Sequence, residues 1–216
     1  NVRTAWRWAI DRAEPADLEP LATVLMNFLW YRSRYREARD SFQDAILHVQ
    51  KRPISSQRDH SLAVIYNYLA WHLMVLGEME ASDEAAQQSN DLYERLSVPP
   101  IEGIDTDPRF ALGTNARLRG EYSEARILAK AALADSIDRP HLQKQHFAHR
   151  TLCEISLDMG DLVQAEAHAR QAYHLLPQDD QWSASYVHEL IASVATERGE
   201  YETAERHFKI SYDIRH

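Results

Sequence analysis

The chain has 216 residues, 44% hydrophobic and 26% charged, which is enough apolar material for a core and is not a disordered composition. Its net charge of −9 argues against a general nucleic-acid binder, because such proteins meet phosphate with a basic surface. Its one cysteine, Cys153, excludes an internal disulfide and a cysteine-built zinc site and fits a reducing cytoplasm, and no apolar run approaches the ~20 residues of a membrane span. Charge is uneven along the chain: residues 1–60 carry ten Lys/Arg against eight Asp/Glu, and the remainder is strongly acidic.

The chain opens on "NVRTAWRWAID", whose spacing predicts a helix over 1–13 with Val2, Ala5, Trp6 and Ala9 on one side. We read residues 1–17 as a capping or linker element. Because position 1 is Asn and not Met, we expect a piece of a longer polypeptide. From residue 18 a period governs the sequence. "RGEY" occurs at Arg119–Tyr122 and again at Arg198–Tyr201. Turn-like phrases centre on Ser33, Gly77, Gly120, Gly160 and Gly199, spaced 44, 43, 40 and 39 residues apart. Two residues after each anchor stand Tyr35, Met79, Tyr122, Leu162 and Tyr201. Five after stand Ala38, Ser82, Ala125, Ala165 and Ala204. Twelve after stand Ala45, Ser89, Ala132, Ala172 and Ser211.

A residue able to enter the left-handed region ends one helix, a large residue fills the corner, and small residues let a second helix approach the first. The spacing predicts five helix hairpins over about 18–49, 58–96, 108–136, 139–176 and 180–216. No stretch reads as a strand. A lone hairpin cannot bury its apolar face, so a stacked array over 18–216 is expected. Unit two, with Met79 and Ser82 at key places, fits the pattern weakly. The segment 97–108, "SVPPIEGIDTDP", reads as a long loop that folds over a groove, contacts another domain or is a tolerated insertion.

Catalytic signatures are missing. The chain contains no G-x-x-x-x-G-K-[ST], G-x-S-x-G, H-E-x-x-H or kinase motif, so no enzyme activity and no cofactor are expected. Asp105 and Asp107 read as capping residues. His141, His146 and His149 lack a third ligand at metal-like spacing, so no metal is expected. Cys153 occupies a small-residue slot and reads as packing. The five tryptophans, at 6, 8, 30, 71 and 182, read mostly as core and cap residues.

The small-residue/Leu, Gly-Asp/Glu-aromatic, Ala-x₃-aromatic/small-x₂-Ala pattern, with Pro177 closing unit four, resembles the tetratricopeptide repeat (TPR). The resemblance covers residues 18–216; the period exceeds the family's usual 34. It implies an all-α, right-handed α-α superhelix of about five TPR-like hairpins plus an N-terminal helix. It also implies that the first helix of each hairpin lines a concave face. Carried onto this sequence, that face presents Asn27, Trp30, Asn67, Trp71, Arg117, Arg150, Glu154 and Glu189, with Phe147 and Tyr186 able to join them. Amides of this kind hold a peptide backbone, and the arginines suit an acidic or phosphorylated group.

Asn1, Arg3, Ala5, Trp8 and Ala9, with "FLWYRSRYREARDSFQDAI" after them, resemble the junction before the repeats of bacterial STAND-class ATPases, NB-ARC-type or maltose-regulator-like. The resemblance implies a cytoplasmic sensor or scaffold segment of a signal-transduction ATPase or transcription regulator. That segment would bind a protein, peptide or small effector and couple it to an ATPase module in the same chain. The alternative is a stand-alone protein-interaction adaptor. Neither reading needs nucleic acid or membrane. Phe208 and Tyr212 on the last helix are expected to leave an apolar side open to self-association.

Overall fold

The structure is a computed structural model that describes residues 2–12, 15–98, 107–139, 141–176 and 180–216. Residues 99–106 of the expected loop, Asp105 among them, and Pro177 lie outside the described residues. Eleven helices and no strand occur among the described residues. They are α1 (Val2–Arg12), α2 (Pro15–Trp30), α3 (Tyr35–Gln50), α4 (Ser56–Val75), α5 (Met79–Leu96), α6 (Pro108–Leu118), α7 (Tyr122–Asp138), α8 (Leu142–Asp158), α9 (Leu162–His174), α10 (Gln181–Glu197) and α11 (Tyr201–Arg215). After α1 the helices form five hairpins, α2–α3 to α10–α11. The chain divides into two compact units, residues 1–115 and 116–216, with the division inside α6.

The five anchors share one backbone conformation. Ser33 (φ 52°), Gly77 (77°), Gly120 (83°), Gly160 (73°) and Gly199 (75°) are all left-handed. Each ends its helix with the same pair of bonds. The N–H of Gly160 donates to Leu157 O at 2.9 Å and that of Asp161 to Ser156 O at 2.8 Å, satisfying carbonyls the helix leaves open. Gly77/Glu78, Gly120/Glu121, Gly199/Glu200 and Ser33/Arg34 repeat the pair, all between 2.8 and 3.0 Å. Ser33 therefore does the work of glycine, at the cost of a β-carbon in a disfavoured region.

The small-residue columns are buried throughout, none of their residues more than 4% exposed. Ala38, Ala45, Ala125, Ala165 and Ala172 are 0% exposed, and so are Ser82 and Ser89. In unit two of the repeat these serines fill the alanine slots by hydrogen bonding. Ser82 Oγ donates to Ala70 O at 2.8 Å and Ser89 Oγ to Ala63 O at 2.7 Å. Each bond contributes about 1 kcal/mol net and spares a buried hydroxyl from being orphaned. Unit two is thus weak by pattern and sound by chemistry.

In residues 1–115, Phe42 is the hub, with Trp6 and Tyr68 each 5.9 Å and His72 5.6 Å away between ring centroids. Trp6, Ala9 and Ile10 bury one side of α1, whereas Ala5 is exposed. In residues 116–216, one cluster joins Ala116, Ala125, Ala129, Leu152 and Ile155, and another joins Cys153, Ala165, Ala169, Leu190 and Val194. Cys153 is wholly buried, and burial pushes its thiol up to about 12, so it packs and does not react. On α11, Phe208 and Tyr212 are 45% and 60% exposed.

Nothing lies within 4 Å of a β-carbon built on Gly160, so an alanine there meets only backbone strain. Gly160→Ala is expected to cost about 1–2 kcal/mol in urea unfolding. An unchanged midpoint would show that this corner does not need the left-handed residue.

Candidate functional site

The eight residues expected on the inner face range from exposed to wholly buried, in both units. In residues 1–115, Asn27 is exposed on α2. Trp30 is half-buried, edge-on to Tyr35 and His72 at 5.5 Å each. Asn67 is 0% and Trp71 7% exposed, so both sit inside this unit and present almost nothing to solvent. The cause is α4 itself. It is packed by α2, α3 and α5, only Tyr66 and its two ends reach water, and it buries residues nearly all round its circumference. Helical spacing placed these side chains in register but could not report that three helices enclose them.

In residues 116–216 the expected residues come together. Arg117, at the end of α6, places Nη2 3.1 Å from Glu154 and Nη1 2.8 Å from Asp158, both on α8. Tyr186 of α10 donates its hydroxyl to Glu154 Oε1 at 2.6 Å. One turn before Glu154 on α8, the Arg150 guanidinium lies 4.0 Å from the Tyr186 ring centroid, 4.9 Å from Phe147 and 5.4 Å from Trp182. Trp182 and Tyr186 stack on each other at 5.6 Å, with planes 13° apart. Arg117, Arg150 and Glu154 therefore form one cluster with three aromatic rings. Glu189 belongs elsewhere. It pairs with Arg215 at 2.8 Å and accepts from Ser211 Oγ at 3.2 Å, which ties α10 to α11.

The electrostatics of the cluster follow from this packing. Burial works against the charge on Arg117, but Glu154 and Asp158 outweigh it and raise its pKa. Burial, then Glu154, drives the Tyr186 phenol upward, so it stays a hydrogen-bond donor. The arrangement can hold charged and planar groups. No group of three or more metal-ligating side chains converges among the described residues.

Two features escaped the sequence reading. Trp182 joins the cluster because α10 follows α8 in the stack, a contact invisible to local spacing. Two histidine pairs also recur. His149 of α8 meets His168 of α9 with Nδ1 atoms 3.0 Å apart, and His188 of α10 meets His207 of α11 at 2.8 Å. The signal was present: both pairs lie eleven residues before and eight after their glycines.

No protein-family model and no curated protein sequence matches this chain. Two solved structures resemble it along nearly its whole length. BtubC (BKLC) from P. vanneervenii superposes with a TM-score of 0.73 at 17% identity, covering 99% of this chain and 86% of that one. A putative kinesin light chain from Podospora anserina, with nearly identical TPR-like repeats, gives 0.64 at 14% identity, covering 94% and 97%. The fold is a TPR-like helical repeat. No described helix is long and apolar enough to cross a membrane.

Burial lowers the pKa of His72 and of His149 to about 4, and it also lowers those of His146, His168, His188 and His207. For His149 the fields of His168 and His146 add to burial. The unfolded chain, with histidines near 6.5, takes up protons first as pH falls. Stability is therefore full above about pH 6.5 and is lost as pH falls toward 4, His72 alone contributing on the order of 3 kcal/mol. We expect thermal midpoints to be flat from pH 8 to 7 and to fall steeply between 6.5 and 5, above the carboxylate range. A flat profile through that window would contradict buried neutral histidines.

Proposed function

We propose that the chain recognises a protein or peptide segment, and that the face built from Arg117, Arg150, Glu154, Trp182 and Tyr186 is where it does so. One observation carries the reading. The α8–α10 face gathers charge and aromatic surface at positions where the packing columns require neither. Asn27 and Trp30 supply the corresponding reach in residues 1–115. Asn67 and Trp71 support packing there, and Glu189 supports the last hairpin. A small effector with charged and planar parts suits the same face. The TPR-like neighbours support a binding role, as recognition by helical repeats uses a surface left over from packing.

We place this segment in a larger bacterial signal-transduction ATPase or transcription regulator, as its sensor or scaffold. Support comes from the resemblance of Asn1, Arg3, Ala5, Trp8 and Ala9 to the junction that precedes such repeats. Trp8, 56% exposed, leaves an aromatic on the outer side of α1 for a neighbouring module. Phe208 and Tyr212 offer a second apolar contact, for self-association.

Site-specific photocrosslinking in the native host tests the recognition face. A benzophenone side chain at Trp182 or Asn27 is expected to give a discrete adduct. The same group at Ile127, which is 69% exposed on the second helix of its hairpin, is expected to give none. Adducts from Ile127 and none from Trp182 would place recognition on the other face. Reading the gene upstream of Asn1 tests the wider context, which requires a phosphate-binding loop there.

A further inference from the structure

Arg150 stands apart from the other arginines of residues 116–216 that face a helix neighbour. Arg117, Arg170, Arg198 and Arg215 each pair with a carboxylate. Arg150 has no carboxylate and no hydrogen-bond acceptor among the described residues, yet it is only 6% exposed. Its Nε is sealed from solvent without a partner. Its two terminal nitrogens also have no acceptor among the described residues, but they are not sealed from solvent.

Burying a cation without a counter-charge is costly. The three rings offset part of that cost through their faces. They leave the N–H donors unmet, since a guanidinium lying over a ring directs its donors sideways, in its own plane. Glu154 and Asp158 do not serve it, being engaged by Arg117 and Tyr186. The positive charge of Arg150 is nonetheless felt nearby, where it opposes the rise in the Tyr186 pKa and adds to the fall in that of His146. The site is therefore an enclosed, oriented cation with no carboxylate partner among the described residues, in a chain of net charge −9. It is unlike a diffuse basic patch, which would attract any polyanion.

We propose that Arg150 is an oxyanion subsite: it takes the carboxylate or phosphoryl group of one side chain of a bound peptide. Two oxygens of that group meet the open edge of the guanidinium in the bidentate manner that arginine favours. Tyr186 and Phe147 fix the plane of the fork. Trp182, 47% exposed, forms the rim against which the neighbouring part of the peptide packs. The inference rests on the recognition face proposed above and gives it a ligand chemistry.

The test is a nitrogen-15 NMR titration of the whole chain. The Arg150 Nε–H resonance is identified by its loss in Arg150→Lys. The probes are three capped tripeptides, Gly-Glu-Gly, Gly-phosphoserine-Gly and Gly-Gln-Gly, at matched ionic strength in chloride. The Glu or the phosphoserine probe is expected to move the resonance saturably, at least tenfold more tightly than the Gln probe. Whichever of the two saturates first names the oxyanion. In Arg150→Lys, which keeps the charge and loses the fork, the same probe is expected to bind at least tenfold more weakly, read at the Trp182 indole. An Arg150 resonance that is unmoved, or moved equally by the Gln probe, overturns the proposal. Because the probes are tripeptides and the readout sits on Arg150, that failure leaves the crosslinking result for the face intact. A face that fails to crosslink likewise leaves the titration standing.

Discussion

Everything in this fold follows from five residues held in the left-handed region. Ser33, Gly77, Gly120, Gly160 and Gly199 each stop a helix within one peptide. The next residue then begins the return helix in a fixed register. That register brings the small residues five and twelve places later against the first helix. Where they are alanine, the backbones approach because no larger side chain intervenes. Where they are serine, as at Ser82 and Ser89, the hydroxyls hydrogen-bond to carbonyls of the opposite helix. The approach is close enough that a larger side chain would force the hairpin apart.

This arrangement separates two tasks. The columns beside the corners carry the packing within each hairpin, and the remaining positions of each first helix meet other neighbours or solvent. What the chain places on those positions differs between its two units. In residues 1–115 α4 is enclosed and its row is absorbed into the core around Phe42 and His72. In residues 116–216 the row forms a partly buried chain of interactions running from Asp158 through Arg117, Glu154 and Tyr186 to Arg150. Each carboxylate in that chain has a partner, and Arg150 has an aromatic cage in place of one among the described residues. A buried charge left in that state costs stability.

The packing code was legible because it is local. The glycine spacing located every corner, and the register even identified Ser33, whose type gives no hint of a positive φ. Eleven helices follow from those corners and from the apolar spacing between them. Exposure was less legible. Asn67 and Trp71 lie at the same offsets as residues that reach solvent, and only the enclosure of α4 by α2, α3 and α5 decides their burial. Ser82 looked like a flaw because a pattern of residue types does not record a hydrogen bond. Arg117, Arg150 and Glu154 could be placed on one face from spacing. Their pairing could not, since it depends on Asp158 and on two rings of α10 more than thirty residues later. Trp182 looked like core for the same reason.

The separation of packing from recognition is the central claim, and a single-substitution library sorted by protease resistance addresses it directly. The columns at Ala125, Ala165 and Ala172, which are 0% exposed, should reject every larger side chain, because overpacking a buried site forces the helices apart. Trp182, which is 47% exposed, should accept most substitutions, and replacing Arg150 should cost far less than enlarging an alanine, because it removes a buried charge that has no carboxylate partner among the described residues. A face as intolerant as the columns would contradict the account, and these charged and aromatic residues would then be part of what holds the hairpins together.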